Sequence, residues 1–206
     1  MQMKEALKIN PNRKLVECSD AIAEAVALCR PAVIATYPIT PQTHIVEMLS
    51  KMHSEGRINS EMINVESEHS AMSACIGAEA CGVRTFTASS SQGIALMSEM
   101  LFIASGMRLP VVMAVANRAL SSPINIWNDH SDTMAQRDSG WLQFYCENAQ
   151  EAYDTMLQAY KISEHKDILL PSMVCVDGFT LSHLLEPVQM INQADADSFL
   201  PAYAPR

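Results

Sequence analysis

Short apolar runs rich in β-branched and aromatic residues alternate along this chain with stretches in which apolar residues return every three or four positions. The runs are AVIATY (32–37), MINVE (62–66), RTFTAS (84–89), PVVMAVA (110–116), LQFYCE (142–147) and LPSMVCVD (170–177), and most read as strands buried on both faces. Helical periodicity covers 43–54, 68–81, 91–106 and 149–165, and an opening helix over 19–29 has Ser19 or Asp20 as its cap. Strand followed by helix, repeated, predicts an α/β fold: a doubly wound, mainly parallel sheet with helices on both faces. Two regions break the pattern. Ala119 to Gly140 has no clear period, and aperiodic stretches of that length inside a compact domain are usually functional or interfacial. After Glu186 the signal fades into QADADSFLPAYAPR, so the reading divides the chain into a domain over 1–186 and a linker or tail over 187–206, leading toward a domain absent from this chain.

In such sheets ligands sit beyond the carboxyl ends of the strands. The polar clusters fall there: TYPITPQT after the first strand, ESEHS after the second, SSSQG after the third, NRALSSP after the fourth and DGFT after the last. Thr40, Glu68, the Ser89–Gln92 turn, Arg118 and Asp177 can therefore converge on one rim. Pro38 and Pro41 stiffen the exit of the first strand, because each fixes its own φ and pushes the preceding residue out of the helical region. Glu68 opens a helix, where a carboxylate complements the helix dipole; it can equally be aimed into the rim toward a heterocyclic ligand. Arg118 allows two roles as well, an ordinary ion pair or a bidentate clamp on a substrate carboxylate.

Composition narrows the partners. Fourteen basic residues against 23 acidic ones leave a net charge of −9 without any basic cluster, which argues against nucleic acid or an anionic membrane surface. No apolar run approaches the ~20 residues of a membrane span, and MQMKEALKINPNRKLVECSD has no signal-peptide core, so the chain reads as cytoplasmic. The six cysteines include no C-x-x-C pair and read as reduced, mostly buried thiols rather than ligands of zinc or an iron–sulfur cluster. Fourteen methionines suit a core, or a subunit contact that adaptable side chains would line. There is no G-x-G, no P-loop, no G-x-S-x-G and no H-E-x-x-H, and the histidines lack metal-ligand spacing.

Five stretches in order, YPITPQT, SEHSAMSACIGA, TASSSQGIALM, NDHSD and VDGFTLSH, resemble the amino-terminal domain of the 2-oxoacid:ferredoxin oxidoreductases, most closely the alpha subunit of the pyruvate:ferredoxin branch, from about Ser19 to Glu186. The resemblance implies a pyrimidine-type thiamine-diphosphate-binding domain over 1–186. It also implies oxidative decarboxylation of pyruvate, with the acyl group passed to coenzyme A and electrons passed to ferredoxin. Glu68 matches the glutamate that hydrogen-bonds the aminopyrimidine ring and favours the imino tautomer that removes the thiazolium proton. Thr40 and Arg118 match the residues beside the substrate and on its carboxylate. Tyr37, Pro38, Ile39, Ser90, Ser91 and Gln92 are implied cofactor contacts, and Asp129 and His130 implied supports behind the rim. The G-D-G loop that binds diphosphate and Mg²⁺ in thiamine enzymes is missing. The implied assembly therefore adds a beta subunit with that site, a ferredoxin-like iron–sulfur subunit and a gamma subunit. Another 2-oxoacid as substrate, or a non-catalytic assembly role, remain the alternatives.

Overall fold

The computed structural model describes residues 12–205; the N-terminal part of the targeting argument (residues 1–11) and Arg206 lie outside them. Among the described residues the chain runs β1 (Arg13–Glu17), α1 (Cys18–Cys29), β2 (Val33–Thr36), α2 (Thr43–Ser54), β3 (Glu61–Asn64), α3 (Glu68–Ala80), β4 (Thr85–Ser89), α4 (Ser91–Leu96) and α5 (Ser98–Gly106). It continues as β5 (Val112–Asn117), α6 (Ser131–Met134), β6 (Leu142–Cys146), α7 (Ala149–Ser163), β7 (Ser172–Asp177), β8 (Leu185–Gln189) and α8 (Gln193–Phe199). Six strands form one sheet in the order β3-β2-β4-β5-β7-β6, with every pair parallel. This is the expected α/β fold.

Side chains on alternate positions of the central strands divide between two cores. Val112, Ala114 and Ala116 of β5 pack with α1, α2 and α7, whereas Val111, Met113 and Val115 pack with α3, α4 and α5. A strand covered on both faces needs apolar residues at every position, which is why these strands read as unbroken runs. Met52 and Met97 lie in the cores, and Met48 and Met100 are half-buried against them.

Several boundaries differ from the pattern. The 91–106 segment is two helices divided at Met97, not one. Helix α1 begins at Cys18 without a side-chain cap, because the Ser19 hydroxyl donates to the carbonyl of Ser182 (2.8 Å). Strands β1 and β8, antiparallel to each other, carry no recognisable period: β1 is largely exposed and β8 contains Pro187, tolerable on a ribbon with free edges. The boundary drawn at Glu186 falls inside β8. Beyond it Asn192 caps α8, and Ala196 and Leu200 are buried against α1 and α7, so the acidic tail packs on the domain. Among the described residues no helix is long and apolar enough to cross a membrane.

The amino ends of the strands are closed by Arg84, itself buried. Its guanidinium forks onto Glu164 at the end of α7 (2.5 and 2.8 Å) and donates to the carbonyls of Cys29 (3.0 Å) and Pro201, drawing three segments together. Beside it, burial pushes the Glu79 carboxyl up to about 8, while the Thr85 hydroxyl bonded to it (2.8 Å) pulls the other way. A carboxyl raised on folding is protonated in the native state but ionised in the unfolded chain between its two pKa values, so stability falls as pH rises through that window. Urea denaturation at pH 5 and 7.5 should show that Glu79→Gln removes up to about 3 kcal/mol of the loss across the interval. Equal pH dependence in both proteins would mean that Glu79 is ionised in the fold.

Candidate functional site

From β2 the chain turns outward to β3 and then returns across it to β4 on the other side. The loops after β2 and β4 thus diverge, and a crevice forms at this switch point beyond the carboxyl ends of the strands. The Tyr37–Gln42 turn borders it from β2, the start of α3 from β3, Ser90–Gln92 from β4 and Arg118 from β5.

Asp132, fully buried, joins these pieces. Its Oδ2 accepts the backbone N–H of Ser91 (2.9 Å) and of Arg118 (3.1 Å), and its Oδ1 accepts the amide of Asn117 (2.8 Å) and the N–H of Thr133 (2.8 Å). Four donors on one carboxylate satisfy its lone pairs and offset the cost of burying its charge. They also hold Ser91 at φ 45°, a left-handed conformation uncommon for a residue with a side chain. Ser90 adds a bond from its hydroxyl to the carbonyl of Ala116 (2.7 Å), and Ser91 one to that of Ala119.

On that platform lies the Arg118 side chain. Nη1 donates to the Thr40 carbonyl (2.7 Å) and Nη2 to Gln92 Oε1 (2.6 Å), while Nε is buried without a partner among the described residues. Burial lowers the guanidinium below its usual pKa, and the carboxylates of Asp132 and Glu68 oppose that shift. Glu68 is the first residue of α3, behind the Ser67 cap, and only 6% exposed. Among the described residues its carboxylate receives no hydrogen bond. It lies against Gly93: a Cβ there would stand 2.7 Å from Glu68 Oε1 and 2.3 Å from Ser89 Oγ, so only glycine lets α4 come this close. Gly178 plays the same part after β7, where a Cβ would meet the carbonyl of Asn117 at 2.3 Å.

The structure therefore brings Thr40, Gln92 and Arg118 into direct contact, through the Thr40 carbonyl and not its hydroxyl. Tyr37 and Pro38 are exposed and Ile39 half-buried; the carbonyl of Tyr37 accepts from the buried Gln42 amide (2.9 Å). Asp129 is bonded by the side chain of Ser131 and by its N–H (2.7 Å), which together lower its pKa as the chain turns into α6. His130 pairs with Asp177 (3.0 Å) and lies against the ring of Tyr145. Sequence reasoning passed over Asp132, although it closes the NDHSD stretch from which Asp129 and His130 were taken. Gly93 and Asn117 were also missed, since their value lies in neighbours distant along the chain.

Residues 24–206 match the family model described as pyruvate flavodoxin/ferredoxin oxidoreductase, thiamine diphosphate-binding. The chain is 60% identical over 193 residues to pyruvate synthase subunit PorA of Methanocaldococcus jannaschii and 57% identical over 193 to that of Methanothermobacter thermautotrophicus, covering 94% of this chain and 50% of each relative. It is 50% identical over 199 residues to ketoisovalerate oxidoreductase subunit VorA of Pyrococcus furiosus, covering 97% of this chain and 50% of that subunit. The chain spans about half the length of the curated relatives it matches. Among solved structures, 2-oxoglutarate:ferredoxin oxidoreductase from Magnetococcus marinus superposes with a TM-score of 0.79 at 20% identity, covering 89% of this chain and 32% of that one. A thiamine diphosphate-dependent 4-hydroxybenzoylformate decarboxylase from Rhodococcus jostii RHA1 does so at 0.65 and 12% identity, over 93% of this chain and 34% of that one. At these identities the likeness is one of fold.

The Asp132 hub makes a stability test. Asp132→Asn keeps the shape but turns an amide donor toward N–H groups, and should lower the unfolding free energy by about 2–4 kcal/mol in urea titration. A loss below about 0.5 kcal/mol would remove Asp132 from this role.

Proposed function

This chain belongs to the pyruvate flavodoxin/ferredoxin oxidoreductase family through its thiamine-diphosphate-binding domain, and from that premise we propose that it forms half of an active site that oxidatively decarboxylates pyruvate. The observation that carries the reading is Glu68, a buried carboxylate with no hydrogen-bond donor of its own, packed on Gly93 at the switch-point crevice. Such a group fits a flat heterocycle bearing an N–H, because the bond it lacks is the one a protonated ring nitrogen would make. Thiamine diphosphate, when bound, supplies the carbon nucleophile that cleavage of a 2-oxoacid requires. Glu68 would hold the proton at the pyrimidine ring nitrogen. The Tyr37–Thr40 turn and Ser90–Gln92 would border the same ring.

Arg118 would receive the carboxylate of pyruvate, with Thr40 beside it; the half-buried guanidinium is placed where a charge-assisted, two-pronged contact is strongest. Pyruvate as the 2-oxoacid rests on the PorA relatives at 57–60% identity against 50% for VorA. Among the described residues no group of three metal-ligating side chains is poised for a cation. Because the sequence lacks the G-D-G loop of thiamine enzymes, we assign the diphosphate and its Mg²⁺ to a beta subunit, and the iron–sulfur clusters that lead to ferredoxin to a ferredoxin-like subunit. A gamma subunit and coenzyme A complete the assembly. The exposed Ile124, Ile126 and Trp127, on the long loop after β5, offer the partner an apolar contact beside the crevice.

In the assembled enzyme, Glu68→Gln should slow exchange of the thiazolium C2 proton for deuterium by about 10²- to 10⁴-fold, the usual worth of a positioned proton-transfer group. Exchange at the parental rate would sink the assignment. Arg118→Leu should raise KM for pyruvate by about one to two powers of ten, corresponding to roughly 1.5–3 kcal/mol for a hydrogen bond to a charged group. Steady-state kinetics with unchanged kcat/KM would make Arg118 structural.

A further inference from the structure

The Arg118 edge best suited to a carboxylate is closed by a neutral neighbour. Side-on recognition of a carboxylate uses the Nε and Nη2 edge of a guanidinium. Here Nε is buried and unpaired, and Nη2 is held by the amide oxygen of Gln92 (2.6 Å). Gln92 has further contacts: its Oε1 lies 2.6 Å from the Ser91 hydroxyl, whose one proton is shared with the Ala119 carbonyl, and Nε2 donates to Ser121 Oγ (2.6 Å). Ser121 begins the exposed segment 121–128 that carries Ile124, Ile126 and Trp127, and the indole of Trp127 meets the ring of Phe179 edge-on at 5.9 Å.

We propose that Gln92 is a positioning residue that latches the loop to Arg118 and is released when a 2-oxoacid carboxylate arrives. This role for Gln92 rests on Arg118 being the carboxylate site. An anionic oxygen on Nη2 outcompetes an amide oxygen, since charge-assisted hydrogen bonds are roughly twice as strong as neutral ones. The second carboxylate oxygen then pairs Nε, which has no protein partner. As the Gln92 side chain leaves Nη2, its amide leaves Ser121 as well, because one rigid group carries both contacts. Occupancy of the substrate site is thereby reported to the loop that faces a partner subunit. The two outcomes at Gln92 exclude each other, so the loop responds to a carboxylate and not to the cofactor alone.

The test uses the assembled enzyme with its thiamine diphosphate removed, so that added pyruvate keeps its carboxylate, and with 5-fluorotryptophan incorporated in this chain only, read by fluorine NMR. Trp127 is the reporter and Trp141, buried and donating to the carbonyl of Leu101 (2.8 Å), the internal reference. Adding pyruvate should shift the Trp127 resonance and leave that of Trp141 in place, and Ser121→Ala, which cuts the tether on the exposed side, should abolish the response. Gln92→Glu installs a charged competitor and should raise KM for pyruvate by about tenfold or more, well beyond its effect on kcat. A Trp127 resonance unmoved by saturating pyruvate, or an unchanged KM in Gln92→Glu, overturns the latch. If Arg118→Leu still raises KM, those results leave the carboxylate assignment standing; if kcat/KM is also unchanged in Arg118→Leu, the underlying reading fails instead.

Discussion

The crevice depends on one buried carboxylate. Asp132 draws the start of α4, the end of β5 and the first residues after α6 begins onto a single pair of oxygens, and the hydrogen bonds have directions as well as strength. Ser91 N–H and Arg118 N–H point at the same Oδ2, which places the two loops within reach of each other although they leave neighbouring strands in different directions. Once they are so placed, Arg118 can lie across Gln92 and reach the turn after β2. A salt bridge could supply similar attraction but would leave the backbone free to rotate. Backbone N–H groups on a rigid carboxylate do not.

How much of this is legible in sequence depends on the range of the interaction. Strands β2, β4, β5 and β7 show themselves because each is covered on both faces, a constraint written into four to six consecutive residues. The order of the strands along the chain then places Thr40, Glu68, Gln92 and Arg118 at one end of the sheet without any knowledge of contacts. The strands RKLVE and LEPVQ escape because a two-stranded ribbon with exposed edges imposes no such constraint. Helix α8 escapes for another reason: QADADSF is acidic and short, and it is stabilised by the Asn192 cap and by Ala196 against the body of the domain, not by a stripe of its own. Asp132 is the instructive case. The feature that matters is four donors arriving from three segments, up to 41 positions away, and no local pattern encodes that.

Charge explains why a single arginine can govern the crevice. In a chain of net charge −9, with Glu68 and Asp132 both close to it, Arg118 is a cation already outweighed by its surroundings. An incoming carboxylate adds a further negative charge and must be drawn by directed hydrogen bonds more than by the field of the domain, because surface charges beyond about 10 Å are largely screened at 0.1 M salt. On the proposed reading, geometry at Arg118, and therefore the residues that set it, would carry the selectivity.

The two ends of the sheet differ in how fully their polar atoms are paired. At the amino ends Arg84 meets a carboxylate and two carbonyls and leaves none of its nitrogens without a partner. Among the described residues seven side-chain atoms are buried without a partner; four of them, Gln42 Oε1, Ser89 Oγ, Asn117 Oδ1 and Arg118 Nε, lie at the carboxyl ends, and one, Glu79 Oε1, lies beside Arg84 at the amino ends. An unmade buried hydrogen bond costs about 1–3 kcal/mol, so a domain selected for its own stability would not gather four at one rim. Two of them flank groups already implicated in the site: Ser89 Oγ shares the space beside Gly93 with Glu68, and Arg118 Nε forms half of the carboxylate edge. The unsatisfied atoms thus outline the places where ligand oxygens and nitrogens would complete the network.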